Sequence, residues 1–222
     1  ALWRSLPAPT PDDVQRVAEA LVNAGRYAMA YGLWTNASLP DRPGADGDSL
    51  LSNGGFERAF GLNDATPFHT WRMTPGGLFK LSLDRKDPQE GKQALRGGFS
   101  VADNIAFTIA SQLVPAKPST TYRLSFWARA EEMESLSAPL VELYDPALEL
   151  GVAGRPRAAT PGFPQGTFDW TEYQLELTTQ AATEALKVRI QRMPCAVAPC
   201  PIYGRLWLDD FKLVELRAGH AR

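Results

Sequence analysis

After residue 49 the hydrophobic residues recur in short runs with a period of about two, the spacing that places side chains alternately on the two faces of a β-strand. Clusters of glycine, proline, asparagine and aspartate separate these runs. Strands without intervening helical patterns predict an all-β fold, a jelly-roll β-sandwich of two antiparallel sheets, rather than a parallel α/β sheet. The clearest predicted strands cover residues 105–114, 122–129, 140–144, 173–177, 186–191 and 206–214.

The chain before these strands has helical spacing. Thr10 offers a hydroxyl cap, Pro11 suits the first helical position, and Asp12 and Asp13 face the positive end of the helix dipole. The sequence therefore predicts a helix that ends at residues 23–25 and a second short helix after it, together forming an antiparallel hairpin. The apolar stripes comprise Val14, Val17, Ala18, Leu21 and Val22 in the first helix, and Tyr27, Ala30, Tyr31 and Trp34 in the second.

These patterns divide the chain into four segments. Residues 1–40 form the predicted helical hairpin, residues 41–49 a linker rich in proline, glycine and aspartate, residues 50–216 the sandwich, and residues 217–222 a tail. Because the chain begins Ala-Leu-Trp rather than with methionine, we expect it to be part of a longer protein.

The charge balance argues against two classes of partner. The 222 residues include 23 basic and 25 acidic side chains, so the net charge is -2 and no basic field attracts phosphate backbones or anionic lipids. No apolar run approaches the ~20 residues that a membrane-spanning helix needs. We therefore expect neither nucleic-acid binding nor a membrane span in this chain.

Two cysteines, Cys195 and Cys200, flank a short proline-containing loop. The loop allows its ends to approach closely enough for a disulfide, which would place the chain outside the cytoplasm, in the periplasm or cell envelope. The alternative is a pair of free thiols in a reducing compartment. Zinc is disfavoured because the chain has only two histidines, His69 and His220, to complete a ligand set.

The segment 20–31 resembles one helical pair of a tetratricopeptide-type repeat. A lone pair of this kind cannot bury both faces, because such repeats are stabilised by stacking on their neighbours. Two alternatives follow: the pair ends an upstream array, or it packs on the following domain. Trp34 and Tyr31 are the expected adhesive residues in either case.

Four motifs in the sandwich segment are similar to those of jelly-roll carbohydrate-binding modules, which have a galactose-binding-like fold. They are the turn at residues 51–57 followed by Trp71, the strand at 121–129 after Val114-Pro115, the Trp-Thr-Glu-Tyr at 170–173, and the closing strand at 206–213. The resemblance spans about 165 residues and implies the fold more specifically than it implies sugar binding.

The same resemblance implies a structural calcium ion. In the family, the turn and the closing Asp pair lie side by side, so Glu57 and one of Asp209 or Asp210 would be side-chain ligands. Carbonyl groups of Asn53 and of the turn at Lys92 would complete the set. The alternative is that Glu57 caps the turn by accepting main-chain N–H bonds and the aspartates simply end a strand.

A sugar site needs flat aromatic faces and planar polar groups on a concave surface. Alternation within 122–129 places Trp127 and Arg129 on the polar face, which makes Trp127 the best candidate for an exposed platform. Arg189 and Tyr144 could line the same groove. Trp71 either lies at its rim or plugs one end of the sandwich. The same parity argument puts Trp207 on one strand face with Phe211 and Leu213, in a structural role shared with Trp170.

A sandwich hydrolase would need two facing carboxylates ~5 to 9.5 Å apart, and the only strand-centred candidates are Glu142 and Glu176. Neither a Gly-x-Ser-x-Gly elbow nor a phosphate-binding glycine loop occurs. The sequence therefore favours a non-catalytic module that binds a glycan, at the end of a larger tetratricopeptide-like protein of a bacterial envelope or polysaccharide system. The alternative is a protein interaction or scaffold domain without sugar affinity, whose partner binds the helical segment.

Overall fold

The computed structural model describes residues 10–36, 47–58, 67–74 and 77–216. Within these residues, two α-helices precede ten β-strands, and a short 3₁₀ helix, Pro146–Leu150, lies between the sixth and seventh of these strands. The helices are α1 (Pro11–Asn23) and α2 (Tyr27–Asn36). The strands are β1 (Arg72–Met73), β2 (Phe79–Asp84), β3 (Ala94–Val101), β4 (Phe107–Pro115), β5 (Thr121–Glu134), β6 (Leu140–Tyr144), β7 (Arg157–Ala159), β8 (Gly166–Thr178), β9 (Ala185–Arg192) and β10 (Ile202–Glu215).

The strands form two five-stranded sheets. The first sheet has the order β1-β4-β9-β6-β7 and the second has the order β2-β3-β10-β5-β8. All neighbouring strands are antiparallel. The predicted jelly-roll sandwich is confirmed, and each of the six predicted strands overlaps an observed one.

The core lies between the two sheets, and β5 shows how alternation builds it. Along this strand Tyr122, Leu124 and Phe126 are buried, whereas the residues between them are partly exposed, as the sequence predicts. The rings of Phe126 and Phe211 stack with centroids 4.8 Å apart, which joins two neighbouring strands within the core.

A β-bulge near the middle of β10 reverses the alternation of that strand. The register against β5 shifts between Asp209 and Lys212, and Asp210 has a left-handed φ of 50°. Leu208 faces the core before the bulge and Phe211 faces it after the bulge. The prediction that Trp207 shares a face with Phe211 is therefore wrong, and Trp207 lies on the outer face of the second sheet.

The predicted start of α1 is confirmed. The Thr10 hydroxyl accepts a hydrogen bond from the Asp13 backbone N–H, and the Asp13 carboxylate accepts one from the Thr10 backbone N–H, forming a reciprocal capping box. Pro11 occupies the first turn, where its missing N–H is not needed.

The helical pair docks on the sandwich. Trp34 is 2% exposed and packs with Phe68, Leu113 of β4 and Ala185 of β9. The backbone N–H of Ala28 donates to the Glu184 carboxylate at 2.8 Å, just before β9. Of the two alternatives for the pair, packing on the following domain is the one observed, and a tetratricopeptide-type array stays a prediction.

A disulfide joins Cys195 to Cys200 in the loop between β9 and β10. The buried Arg192 donates to the carbonyl oxygens of Cys200 at 2.5 Å, Ile105 at 2.6 Å and Ser137 at 3.0 Å. These bonds satisfy a buried cation without a carboxylate and fix the loop against the sandwich. In the described residues, none of the helices has the length and apolar character needed to cross a membrane.

The predicted division of the chain stays a prediction. The linker at 41–49 lies mostly outside the described residues, and the tail at 217–222 lies wholly outside them.

Candidate functional site

The five predicted ligand residues do not meet in one groove. Tyr144 and Arg189 belong to the first sheet, and Trp127 and Arg129 belong to the second, so the two pairs lie on opposite faces of the sandwich. Trp71 lies in the core, 4% exposed, with its indole N–H donating to the Asn53 carbonyl oxygen at 3.1 Å. Alternation shows which side of a strand a residue occupies, but it does not show which sheet the strand joins.

Guanidinium groups cover the aromatic faces around Arg129. Its guanidinium carbon lies 4.3 Å from the Trp207 ring centroid and 5.7 Å from that of Trp170, and Arg96 lies 5.3 Å from Trp207 on the same surface. We call these four residues the arginine–tryptophan ladder. Trp207 is 3% exposed and has two arginines near its ring, so it is not an open stacking platform. Trp170 and Trp127 are partly buried.

A row of polar side chains crosses the outer face of the first sheet. The strand register places Arg72 opposite Ser111, Ser111 opposite Arg189, and Arg189 opposite Glu142. Glu142 is fully buried and accepts from Arg189 at 2.5 Å and from Gln191 at 2.7 Å. Arg157 Nε lies 2.7 Å from Glu142 Oε2 as a further ion pair, but this oxygen accepts no hydrogen bond with good geometry. The bonds to the other oxygen hold this part of the row in place.

The 3₁₀ helix brings Glu149 over this surface. Its carboxylate accepts from the Tyr144 hydroxyl at 2.7 Å, from Lys187 at 2.9 Å and from Arg189 at 3.0 Å. Burial alone would raise the pKa of Glu149, but the hydrogen bonds from Lys187 and Tyr144 hold it below its ordinary value, so Glu149 is ionised at neutral pH. Tyr144 is 1% exposed beneath Arg189, which makes it part of the floor and not a stacking surface.

A pocket of ≈ 170 Å³ lies beside this cluster, between the helical hairpin, the 3₁₀ helix and the first sheet. Val22, Leu113 and Leu150 supply apolar walls. The side chains that line it and carry hydrogen-bonding groups are Asn23, Tyr27, Arg72, Ser111, Glu149 and Lys187.

Three interactions determine the charges and protonation states of the side chains that line the pocket. Arg72 pairs with Glu19 of α1 at 3.1 Å and Lys187 pairs with Glu149, so both cations are oriented. Burial, followed by the negative charge of Glu149, raises the pKa of Tyr27 to about 12. Tyr27 therefore keeps its proton at neutral pH and presents a hydroxyl, so the pocket combines neutral and charged hydrogen-bonding groups with apolar walls.

The proposed calcium residues occupy a different part of the molecule. Glu57 Oε1 accepts the backbone N–H groups of Lys92 at 2.8 Å and Gln93 at 3.2 Å. Asp209 Oδ2 accepts those of Gln89 at 2.9 Å and Glu90 at 3.2 Å. Both carboxylates therefore hold the loop before β3. Glu57 accepts main-chain N–H bonds, as the alternative to calcium describes, but Asp209 lies within β10 and does not end a strand.

Two further groups of that set are also engaged. The Asn53 carbonyl oxygen accepts from the Phe56 N–H at 3.1 Å as well as from Trp71, and the Asp210 carboxylate accepts from Lys212 at 2.8 Å. Burial raises the pKa of Asp209 to about 6. In the described parts of the chain, no three His, Cys, Asp or Glu side chains are grouped so that they could hold a metal ion. As arranged, these donors do not fit a calcium site, and calcium binding stays an untested prediction.

The two carboxylates considered for hydrolysis do not face each other. Glu142 lies on the outer face of the first sheet, and Glu176 lies on that of the second, where it accepts from Arg123 at 2.7 Å. The whole sandwich separates them, so they cannot act on one glycosidic bond.

None of the five predicted ligand residues lines the pocket, although Arg189 lies next to it through its bond to Glu149. Asn23 and Tyr27 come from the helical hairpin, and Glu149 comes from a short 3₁₀ helix that no strand pattern reveals. One local signal was present, because Asp145 before Pro146 is a typical helix start, and the Asp145 side chain accepts from the Ala147 N–H at 2.9 Å.

Fold and surface together define an all-β jelly-roll sandwich with a polar pocket on one outer face. Among solved structures, a putative sugar binding protein from Bacteroides thetaiotaomicron aligns with 76% of this chain and 100% of its own, at 12% identity and a TM-score of 0.52. The enzymatically active domain of tailspike protein 4 from bacteriophage CBA120 aligns with 76% of this chain at 13% identity and a TM-score of 0.53. This chain covers only 22% of the tailspike chain.

A family 16 carbohydrate-binding module aligns with 75% of this chain and 99% of its own, at 20% identity and a TM-score of 0.47. No protein-family model matches this chain, and no curated protein matches it. At these identities the structural similarity shows the shared fold.

Proposed function

We propose that this chain is a non-catalytic glycan-binding module and that the pocket beside Glu149 is its binding site. The observation that carries the proposal is the combination of oriented cations, fixed by Glu19 and Glu149, with apolar walls around one small cavity. A sugar ring presents hydroxyl groups at its edge and C–H groups on its faces, so it needs both kinds of contact.

Two further observations support this proposal and its setting. The sandwich fold is shared with a putative sugar binding protein, which is an argument by analogy. The Cys195–Cys200 disulfide suits an oxidising compartment, so we infer a location outside the cytoplasm. We further infer that the module ends a larger, tetratricopeptide-like protein of a bacterial envelope or polysaccharide system.

A glycan array tests the proposal, using the wild type, Ser111→Trp and Ser125→Trp. Ser111 lines the pocket, so an indole there fills the cavity, and we expect binding to fall by at least about tenfold. Ser125 lies on the outer face of the second sheet, so the same change there is a matched control and leaves binding intact.

Equal loss in both variants would show that the pocket is not the site. Trp127→Ala is added to the array, and loss of binding in this variant alone would show that the site lies on the opposite face of the sandwich. Circular dichroism and a thermal melt of each variant separate loss of binding from loss of folding.

A protein scaffold is the second candidate function. It is favoured by two apolar side chains on the helical hairpin, Val17 and Met29, which are 49% and 61% exposed. A folded wild type that binds no array glycan would support this function over glycan binding.

A further inference from the structure

The pocket is closed at the end where the helical hairpin meets the 3₁₀ helix. Gly25, in the turn between α1 and α2, has a left-handed φ of 72°, and a Cβ placed on it would lie 2.7 Å from Leu150 Cδ1. The turn and the 3₁₀ helix are therefore in van der Waals contact. The hydrogen bond from Ala28 to Glu184 holds α2 against the sandwich beside this contact.

Ion pairs hold a second side of the pocket in place. Glu149 is bonded to Lys187 and Arg189 of β9, so the 3₁₀ helix is tied to the floor of the sheet. A glycan chain that continued from the pocket past the 3₁₀ helix would have to break these bonds.

The size of the pocket limits what can enter. Its volume of ≈ 170 Å³ is below the roughly 300–1,000 Å³ of pockets that take drug-sized ligands. The enclosed space therefore suits a group of about the size of one sugar ring.

We propose that the pocket recognises the terminal residue of a glycan chain, entering end-on, and that Asn23 and Tyr27 of the helical hairpin determine which residue is accepted. This inference rests on the proposed function. The sandwich supplies the floor, through Ser111 and Lys187, and the hairpin supplies the wall that an internal chain position would strike.

Chain length is the first test, by isothermal titration calorimetry with three probes. They are the array glycan bound most strongly, the methyl glycoside of its terminal residue, and the same glycan extended by one residue at that end. We expect the methyl glycoside to bind within about tenfold of the whole glycan and the extension to weaken binding by at least about tenfold. Affinity that rises steadily with chain length and tolerates the extension would overturn the inference.

Leu150→Ala is the second test, because it removes the side chain that meets the hairpin turn. We expect the variant to recover binding of the extended glycan by about tenfold, while Leu136→Ala, changed at a residue that is 81% exposed in another loop, does not. Unchanged rejection of the extended glycan by Leu150→Ala would contradict a wall at this position.

Asn23→Ala tests whether the helical hairpin determines which terminal residue the pocket accepts. We expect it to change the rank order of array glycans that share an internal sequence but differ in their terminal residue. An unchanged rank order, with Ser111→Trp still weakening binding by at least about tenfold, would refute the role of the hairpin and leave the proposed function standing. Absence of any glycan binding by the folded wild type would refute both.

Discussion

Arg129 lies between two tryptophan rings, and this arrangement holds three strands of the second sheet together. The ring of Trp207 on β10 and that of Trp170 on β8 flank a guanidinium carried by β5. Asp87 accepts from Arg129 at 2.6 Å and, through its carbonyl oxygen, from the Trp170 indole at 3.3 Å. The loop between β2 and β3 is tied to the ladder by these bonds.

Arg129→Ala should therefore lower the free energy of unfolding by about 1–3 kcal/mol, since it removes two cation–π contacts and an ion pair. Urea denaturation measures this value. Arg123→Ala is the matched control, because Arg123 is on the same strand and face but pairs with the exposed Glu176. We expect the control to change stability by no more than about 0.5 kcal/mol, and equal losses in both variants would argue against the ladder.

The carboxylates of Glu57 and Asp209 already accept two backbone N–H bonds each through one oxygen. We therefore expect the melting temperature to be the same in EDTA and in calcium chloride, as measured by differential scanning calorimetry. An increase of several degrees with calcium, abolished in Glu57→Gln, would instead show that an ion binds the folded state there.

The helical hairpin is anchored mainly by one aromatic side chain. The ring centroid of Trp34 lies 6.0 Å from that of Phe68 and 5.9 Å from that of His69, and all three side chains are buried. The Glu184 bond and the Arg72–Glu19 pair add polar contacts at the margins of this interface.

Trp34→Ala should undock the hairpin while the sandwich stays folded. A buried tryptophan truncated to alanine costs about 3–5 kcal/mol, so amides in α1 and α2 should exchange at least about 100-fold faster. Hydrogen exchange read by mass spectrometry measures this, with the exposed Met29→Ala as control. Equal acceleration in β10 would show that hairpin and sandwich unfold as one unit.

Regular elements were predictable because their patterns are local. The cap at Thr10 depends on residues within one turn, and the burial of β5 follows strict alternation over 122–129. Trp207 was misplaced because one extra residue at the bulge inverts the parity of β10, and no residue type marks that position uniquely.

The pocket was less predictable because its parts come from distant segments. Ser111 and Lys187 lie on neighbouring strands, yet Tyr27 reaches them only because α2 docks on the first sheet. Trp127 and Arg189 both alternate outward, and only the strand order shows that they belong to different sheets.

The two outer faces of the molecule thus differ in kind. On the second sheet, arginine and tryptophan cover one another and stabilise the fold. On the first sheet, the hairpin and the 3₁₀ helix cover part of the surface and leave a cavity between them. Substitutions in the pocket, such as Ser111→Trp, should therefore change binding on the glycan array. Substitutions in the arginine–tryptophan ladder, such as Arg129→Ala, should change the free energy of unfolding.

The anchoring of α2 by Glu184 also has a kinetic consequence. The two partners are 156 positions apart in the chain, so the contact can form only after a very long loop has closed. The strands that flank Glu184 must be paired before its carboxylate has a fixed position. During refolding, β-sheet signals should therefore appear before hydrogen-exchange protection of the α2 amides, and docking of the hairpin would mark the last step to the native state.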